Sequence, residues 1–189
     1  VYNPTDASWA LGPACSVPTN GVPKLVDVAG DAFIEFNQQY PSGSEVWNSA
    51  GIDVSAVSSA IVSFDARSVG GHENAGPYQD EFALYVVRGG VQDASPIVSF
   101  VGHVDGSGDG SPQTEEASFS SVVDVAGDSQ IALRIVVGIS GADGSESYQL
   151  NNCSVCDDAN GDGECTACDE PIVLVNGAGA PFSTADSTV

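Results

Sequence analysis

From Lys24 onward, apolar and polar residues tend to alternate along the chain with a period of two. In Ile34-Glu35-Phe36-Asn37, for example, every second side chain is apolar, which is the pattern of a half-buried strand. Such runs are rich in Val, Ile, Phe and Tyr, they are bounded by Gly, Asp, Ser and Pro, and no sustained helical period with caps occurs. The pattern predicts strands at Lys24–Val28, Ala32–Asn37, Ala60–Ser68, Glu81–Arg88, Pro96–Val104, Ala117–Val125, Gln130–Ile139 and Ser147–Val155.

The number and spacing of these segments predict the fold class. About eight strands separated by turns indicate an all-β fold, an antiparallel β-sandwich of the jelly-roll type. An α+β fold that contains helices is the alternative. Gly30 lies in a predicted hairpin turn, Tyr40–Gly51 is predicted to be a loop, and Asp53-Val54-Ser55 is typical of a local Asx or Ser turn.

Composition divides the chain into four parts. Residues 1–23 are rich in Pro, Gly, Asn and Ser and are expected to form an extended N-terminal arm. The sandwich domain is expected at 24–155, a Cys-rich loop at 153–170, and a C-terminal strand and tail at 171–189. Numbering from Val1 without any Met is typical of a mature secreted chain whose signal peptide has been removed, or of an excised fragment.

The charge of the chain limits its partners. The 189 residues include 26 Asp and Glu but only 4 Lys and Arg, which gives a net charge of −22. Such a surface repels nucleic acid and anionic lipid and attracts cations. No apolar run is long enough to span a bilayer. We therefore expect no nucleic-acid binding and no membrane insertion, and either divalent cations or salty surroundings.

The cysteines are concentrated near the C-terminus. Cys153-x2-Cys156 and Cys165-x2-Cys168 form a paired CxxC pattern, and Cys15 lies far away in the N-terminal arm. Paired CxxC motifs often bind zinc, and in an oxidising compartment the same cysteines form disulfides instead. All five are candidate half-cystines, although an odd number leaves one unpaired within a chain. Cys15 is either that residue or a tether for the arm.

The residues between the two CxxC motifs favour calcium over zinc. Counted from Asp158, oxygen-bearing residues occupy positions 1, 3, 5, 7, 9 and 12, and Gly163 occupies position 6, which is the spacing of an EF-hand loop. The segment resembles a dockerin loop and, more loosely, the calcium loops of thrombospondin type 3 repeats. A disulfide-stapled acidic turn without metal is the alternative. The candidate ligands are Asp158, Asn160, Asp162, Glu164, Thr166 and Asp169.

A second segment fits the same template less well. It begins at Asp105, has Gly110 at position 6 and carries Pro112 where an apolar residue is usual. A Gly/Ser/Asp hairpin loop without metal is the alternative. The candidate ligands are Asp105, Ser107, Asp109, Ser111, Gln113 and Glu116.

Other motifs argue against an enzyme. No GxSxG, HExxH or P-loop sequence occurs, and His72 and His103 are expected to be surface residues. The arginines within strands are expected to pair with carboxylates. Tyr40, Trp47 and Tyr78 are candidates for a sugar-stacking platform, with the alternative that Trp47 covers one end of the sandwich.

Four segments carry a resemblance to known domains: Gly51–Ser55, Val62–Asp65, Asp80–Tyr85 and Tyr148–Asn152. With these segments, residues 46–155 resemble the jelly-roll accessory and lectin-like domains of secreted proteins. The resemblance implies an extracellular, non-catalytic domain that binds calcium and engages glycan or protein. The first hypothesis is a calcium-binding structural subunit of a surface layer or filament, which self-associates when Ile172–Val175 adds to a neighbour's sheet. The alternative is a carbohydrate-binding module.

Overall fold

All regular structure in the described part of the computed structural model is β-strand. The described residues are 9–10, 24–28, 31–37, 40–49, 51–140, 145–158, 161, 163, 171–175 and 181–182. Within them, no helix has the length and apolar character needed to cross a bilayer. The strands are β1 (Trp9–Ala10), β2 (Lys24–Val28), β3 (Asp31–Phe36), β4 (Tyr40–Ser49), β5 (Ile52–Asp53), β6 (Ser59–Gly70), β7 (Glu81–Arg88), β8 (Val91–Gln92), β9 (Val98–Val101), β10 (Gln113–Asp124), β11 (Gln130–Ile139), β12 (Ser147–Asp157), β13 (Pro171–Val175) and β14 (Pro181–Phe182).

The strands form two antiparallel sheets. Sheet A contains β4-β11-β7-β9 in that order, and sheet B contains β3-β12-β6-β10. When these eight strands are followed in sequence order, the chain crosses from one sheet to the other at every connection except the one from β7 to β9. This is the topology of a jelly roll, so the predicted antiparallel β-sandwich is confirmed.

The core lies between the sheets because one face of each long strand is apolar. In β11, Ile131, Leu133, Ile135 and Val137 are buried, and the residues between them are partly exposed. Burying each such side chain stabilises the fold by about 1.5–3 kcal/mol. Aromatic rings meet in the same layer, and their stacked or tilted contacts link Phe64, Phe82, Phe100, Phe119 and Tyr148.

Several local predictions are confirmed. The β2–β3 hairpin pairs Val28 with Asp31. The Asx turn is also present, because Asp53 Oδ1 accepts hydrogen bonds from Ser55 N at 3.0 Å and Ser55 Oγ at 2.7 Å. Strands β7 and β11 have the predicted bounds.

The predicted loop at Tyr40–Gly51 is wrong, since Tyr40–Ser49 forms strand β4. This strand pairs with β11, with register shifts between Ile135 and Val136 and between Val137 and Ile139. Such irregularities interrupt the side-chain alternation on which a sequence-based strand prediction depends.

Both terminal arms contribute strands to the sandwich of their own chain. Strand β1 pairs with β4, placing Trp9 opposite Ser49. Strand β13 pairs with β12 next to the stretch already paired with β3, and β14 adds to β13. The strand expected to add to a neighbour's sheet therefore lies on the sheet of its own chain. Most of residues 1–23 lies outside the described residues.

Candidate functional site

A groove crosses the outer face of sheet B. Its volume is about 370 Å³, within the range usual for ligand sites. The side chains of β6 at Asp65 and Arg67 face this groove because Phe64 and Ala66, which alternate with them, point into the core. We call it the sheet B groove; its lining residues are Phe33, Asp65, Ala66, Arg67, Glu116, Ala117, Ser118, Asn151 and Asn152.

Asp65 is the centre of a hydrogen-bond network in this groove. Ser118 Oγ donates to Asp65 Oδ1 at 2.6 Å, and Asn152 Nδ2 donates to Asp65 Oδ2 at 2.7 Å. These three side chains come from the three adjacent strands β10, β6 and β12. The polar surface is therefore ordered before any ligand arrives, which lowers the entropy cost of binding.

Arg67 forms a second group of contacts beside the first. Its Nε lies 3.1 Å from Glu116 Oε1, and its Nη1 donates to Gln149 Oε1 at 3.3 Å. Gln149 in turn donates to Glu35 Oε1 at 2.8 Å. The polar array therefore extends across sheet B from β10 to β3.

Asn152 occupies an unusual backbone conformation in the same groove. Its φ is +50°, and it is the one non-glycine residue with positive φ among those described. It lies in an irregular part of β12, where the pairing with β6 shifts between Asn151 and Ser154. Strained residues at bulges are typical of functional sites because the bulge re-aims a side chain. Here the bulge presents the Asn152 amide to the groove.

An acidic cluster lies at one end of the sandwich. Glu73, Asp80 and Glu146 each offer a carboxylate oxygen, and these oxygens lie within 4.8 Å of one another. It is the one group of three or more potential metal ligands found in the part of the chain that the structure describes. Carboxylate oxygens suit Ca²⁺, which takes six to eight oxygen ligands.

Asp80 is held rigidly within this cluster. Ser140 N donates to its Oδ1 at 2.6 Å, Glu73 N donates to its Oδ2 at 3.1 Å, and His72 Nδ1 lies 3.1 Å from the same oxygen. Burial alone raises the pKa of Asp80, but these three contacts outweigh it, so the pKa is below its ordinary value. Asp80 is therefore a fixed negative charge in the interior.

The pKa of Glu73 is shifted in the opposite direction to that of Asp80. Burial, and then the negative charge of Asp80, raise the pKa of Glu73 above its ordinary value. Two neighbouring carboxylates repel each other, and a bound cation would relieve that repulsion.

The two histidines are buried, contrary to the expectation of surface residues. His72 and His103 are each 0% exposed, and their rings make an edge contact with centroids 5.1 Å apart. His72 also stacks on Tyr148 at 4.4 Å. His103 Nδ1 lies 2.9 Å from Ser68 Oγ. Each histidine follows a glycine in the sequence, and glycine permits close backbone packing. This neighbour is the one feature of the local sequence that indicates burial.

In the loop that begins at Asp105, two of the predicted ligands make local turn contacts. Asp105 Oδ1 accepts from Ser107 N at 2.8 Å, and Asp109 Oδ1 accepts from Ser111 N at 2.9 Å. Both carboxylates therefore cap local turns. Glu116 lies on β10 and faces Arg67 in the sheet B groove. Gln113 Nε2 does donate to Ser107 Oγ at 3.0 Å. These contacts also occur in a polar hairpin loop, which is the alternative, and calcium binding by this loop stays a prediction.

The start of the predicted EF-hand loop has one feature of such a loop. Asp158 Oδ1 accepts a hydrogen bond from Gly163 N at 3.2 Å, which links loop positions 1 and 6. Gly161 and Gly163 have φ values of +72° and +75°, a left-handed conformation that glycine adopts without strain. The other predicted ligands, Asn160, Asp162, Glu164, Thr166 and Asp169, lie outside the described residues.

The cysteines are only partly described. Cys156 is disulfide-bonded. Cys153, also counted as a candidate half-cystine, is a free thiol instead, and its side chain packs against the core. Burial, and then the charge of Asp65, raise the pKa of Cys153 to about 12. Cys15, Cys165 and Cys168 lie outside the described residues.

Trp47 does not contribute to the predicted aromatic platform. Its side chain is 4% exposed and belongs to the core, whereas the alternative places it over one end of the sandwich. Tyr78 is 64% exposed, in the loop between β6 and β7 near the acidic cluster. The side chain of Tyr40 lies outside the described ones. Instead, Phe33 supplies an aromatic ring to the sheet B groove.

The sequence analysis did not assign the sheet B groove. The alternation Ser63, Asp65, Arg67 on β6 marks a polar outer face, and the pair Asn151-Asn152 interrupts the alternation of β12. The two signals are far apart in the sequence. The separation is 84 residues from Arg67 to Asn151 and 89 residues from Ser63 to Asn152. Only the pairing of β6 with β12 brings them together.

Comparison with known proteins gives similarity to solved structures only. No protein-family model matches the sequence, and no curated protein matches it. A cleaved adhesin domain of Lys-gingipain from Porphyromonas gingivalis is 10% identical, with a TM-score of 0.47, covering 78% of this chain and 90% of that one. The CBM22-1 xylan-binding domain of Paenibacillus barcinonensis Xyn10C is 9% identical, with a TM-score of 0.45, covering 81% and 87%. A sugar-binding protein, the EclA C-terminal domain, is 14% identical, with a TM-score of 0.42, covering 78% and 89%.

Proposed function

We propose that the protein is a non-catalytic carbohydrate-binding module of a secreted protein and that it binds glycan in the sheet B groove. The observation that carries the proposal is the ordered polar array around Asp65, with Asn152 held at positive φ to complete it. Sugar hydroxyl groups both donate and accept hydrogen bonds, so carboxylate, amide and guanidinium groups suit them. Phe33 adds an apolar ring face for the C–H side of a sugar.

The same contacts favour binding over hydrolysis. Glycoside hydrolysis uses two carboxyl groups, one of which donates a proton to the leaving oxygen. In the groove, Asp65 accepts two hydrogen bonds, and Glu116 pairs with Arg67. These contacts hold both carboxyl groups in fixed positions as hydrogen-bond and ion-pair partners, an arrangement suited to ligand positioning.

A disulfide at Cys156 supports a secreted location. Disulfides persist in oxidising compartments such as the extracellular space. The low Lys and Arg content and the charge of −22 also suit an environment in which divalent cations are abundant.

Asn152→Gly tests the groove. Glycine adopts φ near +50° without strain, so this change removes the amide and should leave the free energy of unfolding unchanged or raise it by up to about 1 kcal/mol. We expect affinity for a bound oligosaccharide to fall at least tenfold, measured by calorimetry after a glycan array has identified a ligand. Thr114→Ala is the matched control, because Thr114 is exposed on β10 and does not line the groove. Full binding by Asn152→Gly would place the site elsewhere.

We further propose that the protein binds calcium at two places, the cluster of Glu73, Asp80 and Glu146 and the loop that begins at Asp158. The cluster is supported by three converging carboxylates, and the loop by the contact between Asp158 and Gly163. At constant ionic strength, Glu73→Gln and Asp158→Asn should each remove one site from a calcium titration followed by calorimetry. Asp109→Asn is the control and should leave both sites intact, since Asp109 caps a turn. Loss of binding in the control, or no binding by the natural chain, would contradict the proposal.

A further inference from the structure

Among the described residues that line the sheet B groove, Arg67 is the one with a positive charge, and that charge is already paired. Arg67 Nε lies 3.1 Å from Glu116 Oε1, and the Arg67 side chain is 19% exposed against 70% for Glu116. The guanidinium therefore lies deeper than its partner, and Glu116 stands on the solvent side of the pair. With Asp65 beside it, the groove presents two negative charges and one positive charge to a ligand.

The other described arginines cannot supply a cation to the groove. Arg88 lies on β7 of sheet A and contacts Asp93 and Asp128. Arg134 donates to Asn48 Oδ1 at 2.8 Å, also on sheet A. With 26 acidic residues against 4 basic ones in the whole chain, the field around the protein repels anions at a distance as well.

From this arrangement we infer that the groove selects neutral glycans and rejects glycans that carry carboxylate or sulfate groups, and that the Arg67–Glu116 pair enforces the selection. The inference rests on the proposed carbohydrate-binding function. An anionic sugar could reach Arg67 only by displacing Glu116, and it would then lie beside Asp65 without a compensating charge. Like charges brought together in this way discriminate between ligands more strongly than attractive contacts alone. A neutral sugar instead accepts hydrogen bonds from the paired guanidinium and the Asn152 amide.

Glu116→Gln tests this role. The substitution keeps the size and hydrogen-bonding capacity of the side chain and releases the charge of Arg67. The full chain is titrated with neutral gluco-, xylo- and manno-oligosaccharides and with uronate-bearing and sulfated oligosaccharides, in the presence of EDTA so that calcium does not bridge acidic groups. The quantity measured is the ratio of affinities for acidic and neutral ligands. We expect the natural chain to bind acidic ligands more weakly than neutral ones, and Glu116→Gln to raise the ratio of acidic to neutral affinity at least tenfold.

Glu115→Gln is the matched control. It removes the same charge from the adjacent position of β10, which alternates to the other face and does not line the groove. We expect it to raise the ratio less than threefold. An equal increase in both variants would mean that net charge alone governs selection and would overturn the role of the Arg67–Glu116 pair. Tighter binding of acidic than neutral ligands by the natural chain would overturn the inference but leave carbohydrate binding intact. No binding of any ligand by any variant would instead overturn the proposed function itself.

Discussion

At the scale of single residues, the molecule places polar groups in its interior and holds them by specific contacts. His103 is the clearest case. It is fully buried, its Nδ1 lies 2.9 Å from Ser68 Oγ, and Ser68 Oγ accepts a hydrogen bond from Val104 N at 3.2 Å. The Ser68 hydroxyl hydrogen is therefore available to His103 Nδ1, which fits a neutral imidazole.

His103 gives the stability of the fold a dependence on pH. Burial, and then the nearby His72, lower the pKa of His103 in the folded state. The unfolded chain, with an ordinary pKa of about 6.5, takes up the proton first as the pH falls. The contribution of His103 to stability is thus complete above about pH 6.5 and is lost as the pH falls toward the folded-state pKa.

His103→Asn should reduce this dependence. The asparagine oxygen can take the place of Nδ1 as the acceptor for Ser68, and the residue does not titrate. We expect a lower free energy of unfolding at pH 7.5, because volume is lost from the core, and a shallower decline between pH 7 and pH 5. Urea unfolding at a series of pH values measures both. An unchanged slope would show that other groups carry the pH dependence.

At the scale of elements, glycine positions let the loop from Gly102 to Gly110 pack against the chain that follows β6. A Cβ atom at Gly102 would lie 2.2 Å from the Ser107 carbonyl oxygen, and the φ of Gly102 is +75°. At Gly106, φ is +80° but no atom would lie within 4 Å of a Cβ. The two positions share a backbone conformation and differ in the space around them.

Alanine at these two positions should separate strain from close packing. Gly106→Ala should cost about 1–2 kcal/mol through its positive φ alone. Gly102→Ala adds a clash with backbone and should cost about 2–5 kcal/mol in total. Chemical denaturation of both variants measures the difference. Equal losses would mean that the loop relaxes freely and that its close packing contributes little to stability.

The sequence predicts elements well where the alternation of side chains is regular. Strands β7 and β11 are predicted with the observed bounds because their inward residues alternate almost without interruption. Strand β4 is not predicted, because its pairing with β11 is irregular. The sheet B groove is not predicted for another reason. Asp65, Ser118 and Asn152 are neighbours only because β6, β10 and β12 lie side by side in the sheet. Local patterns carry no information about which distant strands will pair.

At the scale of the whole molecule, the edges of the sheets decide whether copies of the chain join. Strand β1 pairs with β4 at one edge of sheet A, and β13 pairs with β12 in sheet B. The segments best placed to add to a neighbour therefore already belong to their own sandwich. A charge of −22 on each copy also opposes association.

Sedimentation velocity of the natural chain, with calcium and then with a chelator, tests this conclusion. We expect a monomer in both conditions. Strands β1 and β13 already pair with strands of their own chain, so their backbone groups are not free to pair with a second copy. Edge strands associate mainly when they are unpaired. Large particles that dissociate on chelation would contradict it and would favour the structural-subunit hypothesis, in which calcium neutralises facing acidic surfaces.

In that case, a chain that lacks residues 171–189 distinguishes the two modes of assembly. Loss of the particles would show that β13 exchanges between copies, and their persistence would show that calcium joins intact sandwiches through their faces.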